Sequence, residues 1–209
     1  MSEPDFEPDR HNACAGVDPG GDSADARWAV MSGRMPVVFD DGGRAAAGFA
    51  GRAGDCVTRS IAIVTGLPYR DVYEALSAGC REQRTTKRAP RRASARNGVN
   101  TRRKWFRDYM ASLRFQWVPT MRIGSGCRVH LAEGELPAGR LIVALSRHYT
   151  ALIDGVIHDT HDPQREVHCI TPNRGQALKP GEWVNANGVC SISRRCVYGY
   201  WEIRGRHAT

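Results

Sequence analysis

The chain has 209 residues, of which 41% are apolar and 25% charged, proportions of a globular domain that exclude collagen-like and wholly disordered classes. Its longest unbroken apolar run, Leu141 to Leu145, falls far short of the roughly 20 residues that cross a bilayer, so no membrane-spanning helix is expected. The formal net charge of +8 is segregated: residues 1–27 hold seven acids against two bases, and residues 81–104 hold ten bases against one acid.

The length fits one domain plus tails. The opening residues MSEPDFEPD lack the basic start and apolar core of a secretory signal, and a cytoplasmic location is expected. Seven cysteines, at 14, 56, 80, 127, 169, 190 and 196, are an odd and scattered set, for which free thiols are the simpler expectation than a disulfide framework. No C-x-x-C pair occurs, which argues against a zinc ribbon or a thioredoxin-like site.

Residues 1–27, rich in Asp, Gly, Pro and Ala, are expected to be an acidic disordered tail. The stretch after Arg27 reads as an extended lead-in with a turn near Asp41 to Gly43. Asp55 is a good helix N-cap. Cys56 to Thr65 follows it with Val57, Ile61 and Val64 at i, i+4 and i+7, and Gly66 ends the helix. A second helix starts after Leu67-Pro68 with Tyr69, Val72, Tyr73 and Leu76 on one face, closed by Gly79. Residues 81–100 are strongly basic, lack bulky apolar side chains before Val99, and read as a mobile loop. Asn100 or Thr101 then caps a third helix whose buried stripe is Trp105, Phe106, Tyr109, Met110 and Leu113.

Strands are expected at 115–118, 140–145, 147–153, 156–160 and 196–203. Helices first and strands later indicate an α+β domain over residues 28–203, with N-terminal helices packed on a C-terminal antiparallel β-sheet, and a tail at 204–209.

A thiol in the first turn of a helix sits where unpaired N–H groups and the helix dipole favour an anion, which lowers its pKa and makes Cys56 a candidate nucleophile. The adjacent Asp55 charge opposes this, and a separate cationic partner would help. His148, at the start of the strand HYTALID, is the candidate. Asp154-Gly155 is a two-residue hairpin signal that fixes the register: pairing Ile153 with Val156 sets Thr150 opposite Asp159 and His148 opposite His161. His148, Thr150, Asp159 and His161 then share one face, with Asp159 diagonal to His148 and able to orient its ring.

The strings GDCVTRSIAIVTG and SRHYTALIDGVIHDTHDP resemble the papain-like cysteine peptidase superfamily, most closely the bacteriocin-processing peptidases and related phage or bacterial thiol hydrolases. The resemblance implies a papain-like fold, with Cys56 as nucleophile, His148 as general base and Asp159 as orienting acid, and no cofactor. It implies a thiol hydrolase or acyltransferase that cleaves a peptide, isopeptide or amide bond in a protein or peptide substrate through a cysteinyl thioester. In that family the acid often precedes a proline, which favours Asp162; the hairpin register favours Asp159. The family commonly carries an oxyanion-donating glutamine six residues before the cysteine, where this chain has Ala50, so its second oxyanion donor is unassigned.

His158, His161, His168 and Cys169 are residue types that ligate zinc, but their spacing fits no standard site and no metal is expected. The alternative function is a catalytically silent papain-like module that binds nucleic acid or an acidic protein partner through its basic loop.

Overall fold

The computed structural model describes residues 34–83, 94–165, 167–171, 182–185, 188–192 and 194–203. The expected tails at 1–27 and 204–209, and residues 84–93 of the basic segment, lie outside the described residues.

The fold is mixed α+β. Strand β1 (Val37–Phe39) precedes three helices, α1 (Cys56–Thr65), α2 (Tyr69–Glu82) and α3 (Lys104–Ser112), with a 3₁₀ turn at Ala95–Asn97 before α3. Strands β2 (Phe115–Pro119), β3 (Arg140–Leu145), β4 (His148–Ile153) and β5 (Val156–Asp159) follow, then β6 (Val167–Ile170), β7 (Glu182–Asn185), β8 (Gly188–Ile192) and β9 (Gly199–Ile203). Six strands form one sheet in the order β1-β5-β4-β3-β9-β2, and β6-β8-β7 form a second. The large sheet is antiparallel except that β1 runs parallel to β5.

Strand alternation divides the interior into two cores. Ile142, Ala151 and Trp201 face the helices and pack with Ile61, Val64, Val72, Leu76, Phe106 and Met110. Leu141, Val143, Leu145, Leu152 and Ile157 point the other way, against Met35, Leu131 and Val197.

Helix α1 has the expected bounds and ends on left-handed Gly66 (φ 73°), whose N–H donates to the Ala62 carbonyl at 2.8 Å, a conformation that glycine adopts without a Cβ penalty. Arg140, at the start of β3, donates from Nε to the Val64 carbonyl at 2.6 Å and from its terminal nitrogen to that of Ile63 at 2.8 Å. This cation satisfies the carbonyls at the negative end of the helix and ties α1 to the sheet.

Three local expectations are corrected. Gly79 does not end α2, which continues to Glu82. The glycine is there for packing, since a Cβ on it would lie 2.2 Å from Cε3 of Trp105. The third helix starts at Lys104 without a side-chain cap; Asn100 instead accepts from the Arg102 N–H at 3.1 Å in a turn before it. The basic segment is not a loop throughout. Residues 81 and 82 belong to α2, and Ala95 is fully buried in the 3₁₀ turn, with its N–H on the Ser77 hydroxyl at 3.0 Å.

The expectation of free thiols is also corrected, because Cys127 and Cys196 form a disulfide across 69 residues of sequence, and Cys190 is disulfide-bonded too. The Cys127–Cys196 pairing is not foreseeable from spacing, since the fold brings distant segments together. Among the described residues no helix is long and apolar enough to cross a membrane.

Candidate active site

The hairpin register agrees with the count from Asp154-Gly155: Ile153 pairs with Val156, Leu152 with Ile157 and Ala151 with His158. Asp154 and Gly155 both take positive φ, 48° and 84°, as a tight hairpin turn of this kind requires. His148 opens β4 and Asp159 closes β5, at the same end of the sheet. Strand β1 secures that end, its register pairing Phe39 with Asp159 and the Asp40 N–H donating to the Asp159 carbonyl at 2.9 Å.

His148 Nε2 lies 2.6 Å from Asp159 Oδ2. With Nε2 so engaged, Nδ1 is the ring nitrogen left for Cys56, whose thiol acts on His148 electrostatically. Asp159 is only 5% exposed, and burial alone would raise its pKa. The hydrogen bond and charge of His148, with the Thr160 N–H at 2.7 Å, lower it below the ordinary carboxylate value. The same sharing acts on His148, where burial pulls the ring down but hydrogen bonds and charge from Asp159 and Cys56 raise it to about 9.

Burial pushes the Cys56 thiol up. His148, the Tyr149 N–H and the Arg59 charge outweigh burial and bring the thiol below its ordinary value of 9.0. The arrangement therefore favours a thiolate beside an imidazolium, with a buried carboxylate behind it.

Asp55 behaves differently from the sequence expectation. Its carboxylate makes no cap hydrogen bond to α1. It is buried against Arg44, with Nε to Oδ2 at 2.9 Å, and Arg59, with Nε to Oδ1 at 3.5 Å, and it accepts from the Tyr69 hydroxyl. Two guanidinium groups compensate its charge beside the thiolate, and burial and the carboxylate together hold the Tyr69 phenol far above its ordinary value. Asp55 leaves the first turn of α1 without a side-chain cap, and the positive end of the helix dipole falls at Cys56.

The segment before the nucleophile is held by its carbonyls. Arg44 donates to those of Phe49, Ala50 and Gly51 at 3.0, 3.1 and 3.0 Å. Arg96 donates to those of Ala50 and Arg52 at 3.4 and 3.2 Å. Ala50 thus supplies an acceptor to the scaffold where a glutamine would supply a donor.

Asp162 does not reach His148 in this arrangement. It accepts from Arg34 and from the Gln164 N–H. The β4–β5 ladder ends at Ala151 and His158, so the expected pairing of His148 with His161 is not formed; His161 nevertheless stands beside His148, with its ring centroid 4.8 Å from that of His148 and Nδ1 3.7 Å from Asp159 Oδ1. His148, Asp159 and His161 are residue types that bind metal, but a 2.6 Å hydrogen bond joins His148 to Asp159, closer than the separation of two ligands on one zinc ion. His158 points instead to Asp40, Nδ1 to Oδ2 at 3.2 Å; the side chains of His168 and Cys169 lie outside the described residues.

Sequence reasoning missed Arg59, Arg44 and the Tyr149 N–H. Arg59 was the accessible one, since a residue three positions after Cys56 lies on the same helix face. Searches against family models, curated proteins and solved structures found no match to this chain.

Proposed function

We propose that the protein is a papain-like thiol hydrolase or acyltransferase, acting on a peptide, isopeptide or side-chain amide bond through a cysteinyl thioester. The observation that carries this reading is the single imidazole shared between a helix-initial thiol of lowered pKa and a buried carboxylate. Structural histidines and cysteines have no need of that combination.

In the first step the Cys56 thiolate attacks the carbonyl carbon. The oxyanion develops towards the N–H groups at the start of α1, and protonated His148 gives its proton to the departing amine. In the second step His148 takes a proton from water, or from an acceptor amine, which attacks the thioester and restores the thiolate. Asp159 keeps the ring turned towards Cys56 and stabilises its charged form.

The reactive ion pair forms as pH rises through the lowered pKa of Cys56 and is lost as pH rises through about 9, where His148 gives up its proton. A bell-shaped rate profile follows. A cytoplasmic site of action would keep Cys56 reduced but would also expose the Cys127–Cys196 bond to reduction, so thiol concentration must be held fixed in assays.

The test is to incubate wild type, Cys56→Ser and His148→Ala with a defined peptide library and follow new termini and deamidated side chains by mass spectrometry. Loss of turnover in both variants, at unchanged thermal unfolding, supports the reading. The silent binding module replaces it if neither substitution matters and charge reversal at Arg88, Arg91 and Arg92 abolishes the biological readout.

A further inference from the structure

A cavity of about 730 Å³ opens beside the candidate site, within the ~300–1,000 Å³ typical of ligand pockets. Tyr149 lines it and also gives its N–H to Cys56; Ser146 and Arg147 line it and lead directly into His148. Whatever occupies it therefore lies against the residues on either side of His148 in the chain.

Its wall joins two kinds of chemistry. Arg102, Arg107, Arg122 and Arg147 line it, and among the described residues no acidic one does. Among the described residues none of these four has an ion-pair partner, in contrast to Arg34, Arg44, Arg59 and Arg194. Four uncompensated cations around one concavity focus a positive potential that an anionic ligand relieves, and guanidinium groups match carboxylates in fork geometry.

Between them lie large apolar side chains exposed to solvent, namely Trp117 at 37%, Tyr198 at 41% and Ile123 at 108%. Trp117 is seated by a glycine. A Cβ at Gly199 would come within 2.3 Å of Trp117 Cζ2, so only glycine lets the indole lie against β9, with its centroid 5.2 Å from that of Trp201.

We propose that this groove is the substrate subsite for an acidic peptide segment carrying a bulky apolar side chain, with arginines holding the carboxylates and Trp117 and Tyr198 covering the apolar group. The assignment rests on the thiol-hydrolase reading. Aromatic and arginine side chains also suit single-stranded nucleic acid, but the groove is lined by the residues that flank His148, and on the thiol-hydrolase reading a peptide carries the acyl bond.

The test uses Cys56→Ala, in which binding is separated from turnover, and three fluorescein-labelled probes: the peptide Glu-Asp-Phe-Glu-Asp, its counterpart with lysine at each acidic position, and a short oligothymidylate. Anisotropy is expected to show the acidic peptide binding at least about tenfold tighter than the lysine peptide. That preference should fall about tenfold in Arg102→Ala and in Arg147→Ala, the scale of one charge-assisted hydrogen bond. Trp117→Ala should weaken the acidic peptide with phenylalanine and leave a version with alanine there unaffected. Equal binding of the acidic and lysine peptides overturns the proposal, as does arginine-dependent binding of the oligothymidylate in preference to both. Wild-type protein then separates the two readings. If it cuts neutral peptides as fast as acidic ones, the subsite fails and the hydrolase stands. If the acidic peptide binds selectively but no amide bond is ever cut, the hydrolase fails and the groove stands only as a docking surface.

Discussion

Replacing Asp159 with Asn keeps the shape of the side chain and an oxygen that accepts from His148 Nε2, while removing the negative charge. His148 stands at about 9 against an ordinary 6.5, and the difference of about 2.5 pKa units is worth ~3 kcal/mol in favour of the protonated ring. Burial acts against that rise, and the Asp159 hydrogen bond leads the causes that produce it. With the charge gone, burial and the thiolate remain, and the His148 midpoint should fall by about 1–2 units, equivalent to ~1–3 kcal/mol. The assay is an NMR titration of the His148 Cε1–H resonance in wild type, Asp159→Asn and Asp162→Asn, reading the midpoint as that of the coupled Cys56–His148 pair. Stability should change in the same sense. A folded pKa above the unfolded one contributes stability that is complete below about pH 6.5 and lost as pH rises through about 9, and Asp159→Asn should flatten that loss. Asp162, held by Arg34 and Gln164, should leave the midpoint in place when changed to Asn. An unmoved midpoint in Asp159→Asn, or an equal fall in Asp162→Asn, would refute the reasoning.

Further expectations concern the scaffold. Asp55→Ala leaves Arg44 and Arg59, partly buried at 14% and 15% exposed, without their shared carboxylate and should cost about 3 kcal/mol in urea unfolding; a loss within surface-mutation scatter would mean that the cluster does not hold the start of α1. Gly79→Ala gains helix propensity but drives a Cβ to 2.2 Å from Trp105, so a net destabilisation of about 1–3 kcal/mol is expected, with a stabilised variant as the contrary result. The paired substitution Cys127→Ser and Cys196→Ser opens a loop of 69 residues of separation and should lower stability by up to ~4 kcal/mol on the chain-entropy account, while leaving Cys56 alkylation at low denaturant unchanged.

Local signals were legible where the chain itself imposes them. The Val57, Ile61 and Val64 spacing and Gly66 define α1, and Asp154-Gly155 defines the β4–β5 register, because both depend on backbone conformations that few residues adopt. That register is what brings Asp159 rather than Asp162 to His148. Signals that depend on distant neighbours were misread. Gly79 looks like a terminator until Trp105 is seen against it, and Asp55 looks like a cap until Arg44 and Tyr69 are seen to take its carboxylate. Strands β6, β7 and β8 escaped because that region is interrupted by Gly, Pro and Asn and lacks long apolar alternation, although Asn185 pairs with Gly188, close enough in sequence to mark a hairpin. Strand β1 reads as a bare extended lead-in, since its partner β5 lies more than a hundred residues away and pairs with it in parallel.

The central claim is that His148 activates Cys56. It is tested most directly by the pH dependence of iodoacetamide alkylation at each cysteine, resolved by peptide mass mapping, in wild type and His148→Ala. The account predicts that Cys56 reacts with an apparent pKa below the ordinary thiol value, and that this pKa rises to or above that value in His148→Ala, where burial acts unopposed by the imidazolium. A native Cys56 that alkylates no faster than an ordinary thiol, or whose titration is the same with and without His148, would contradict it.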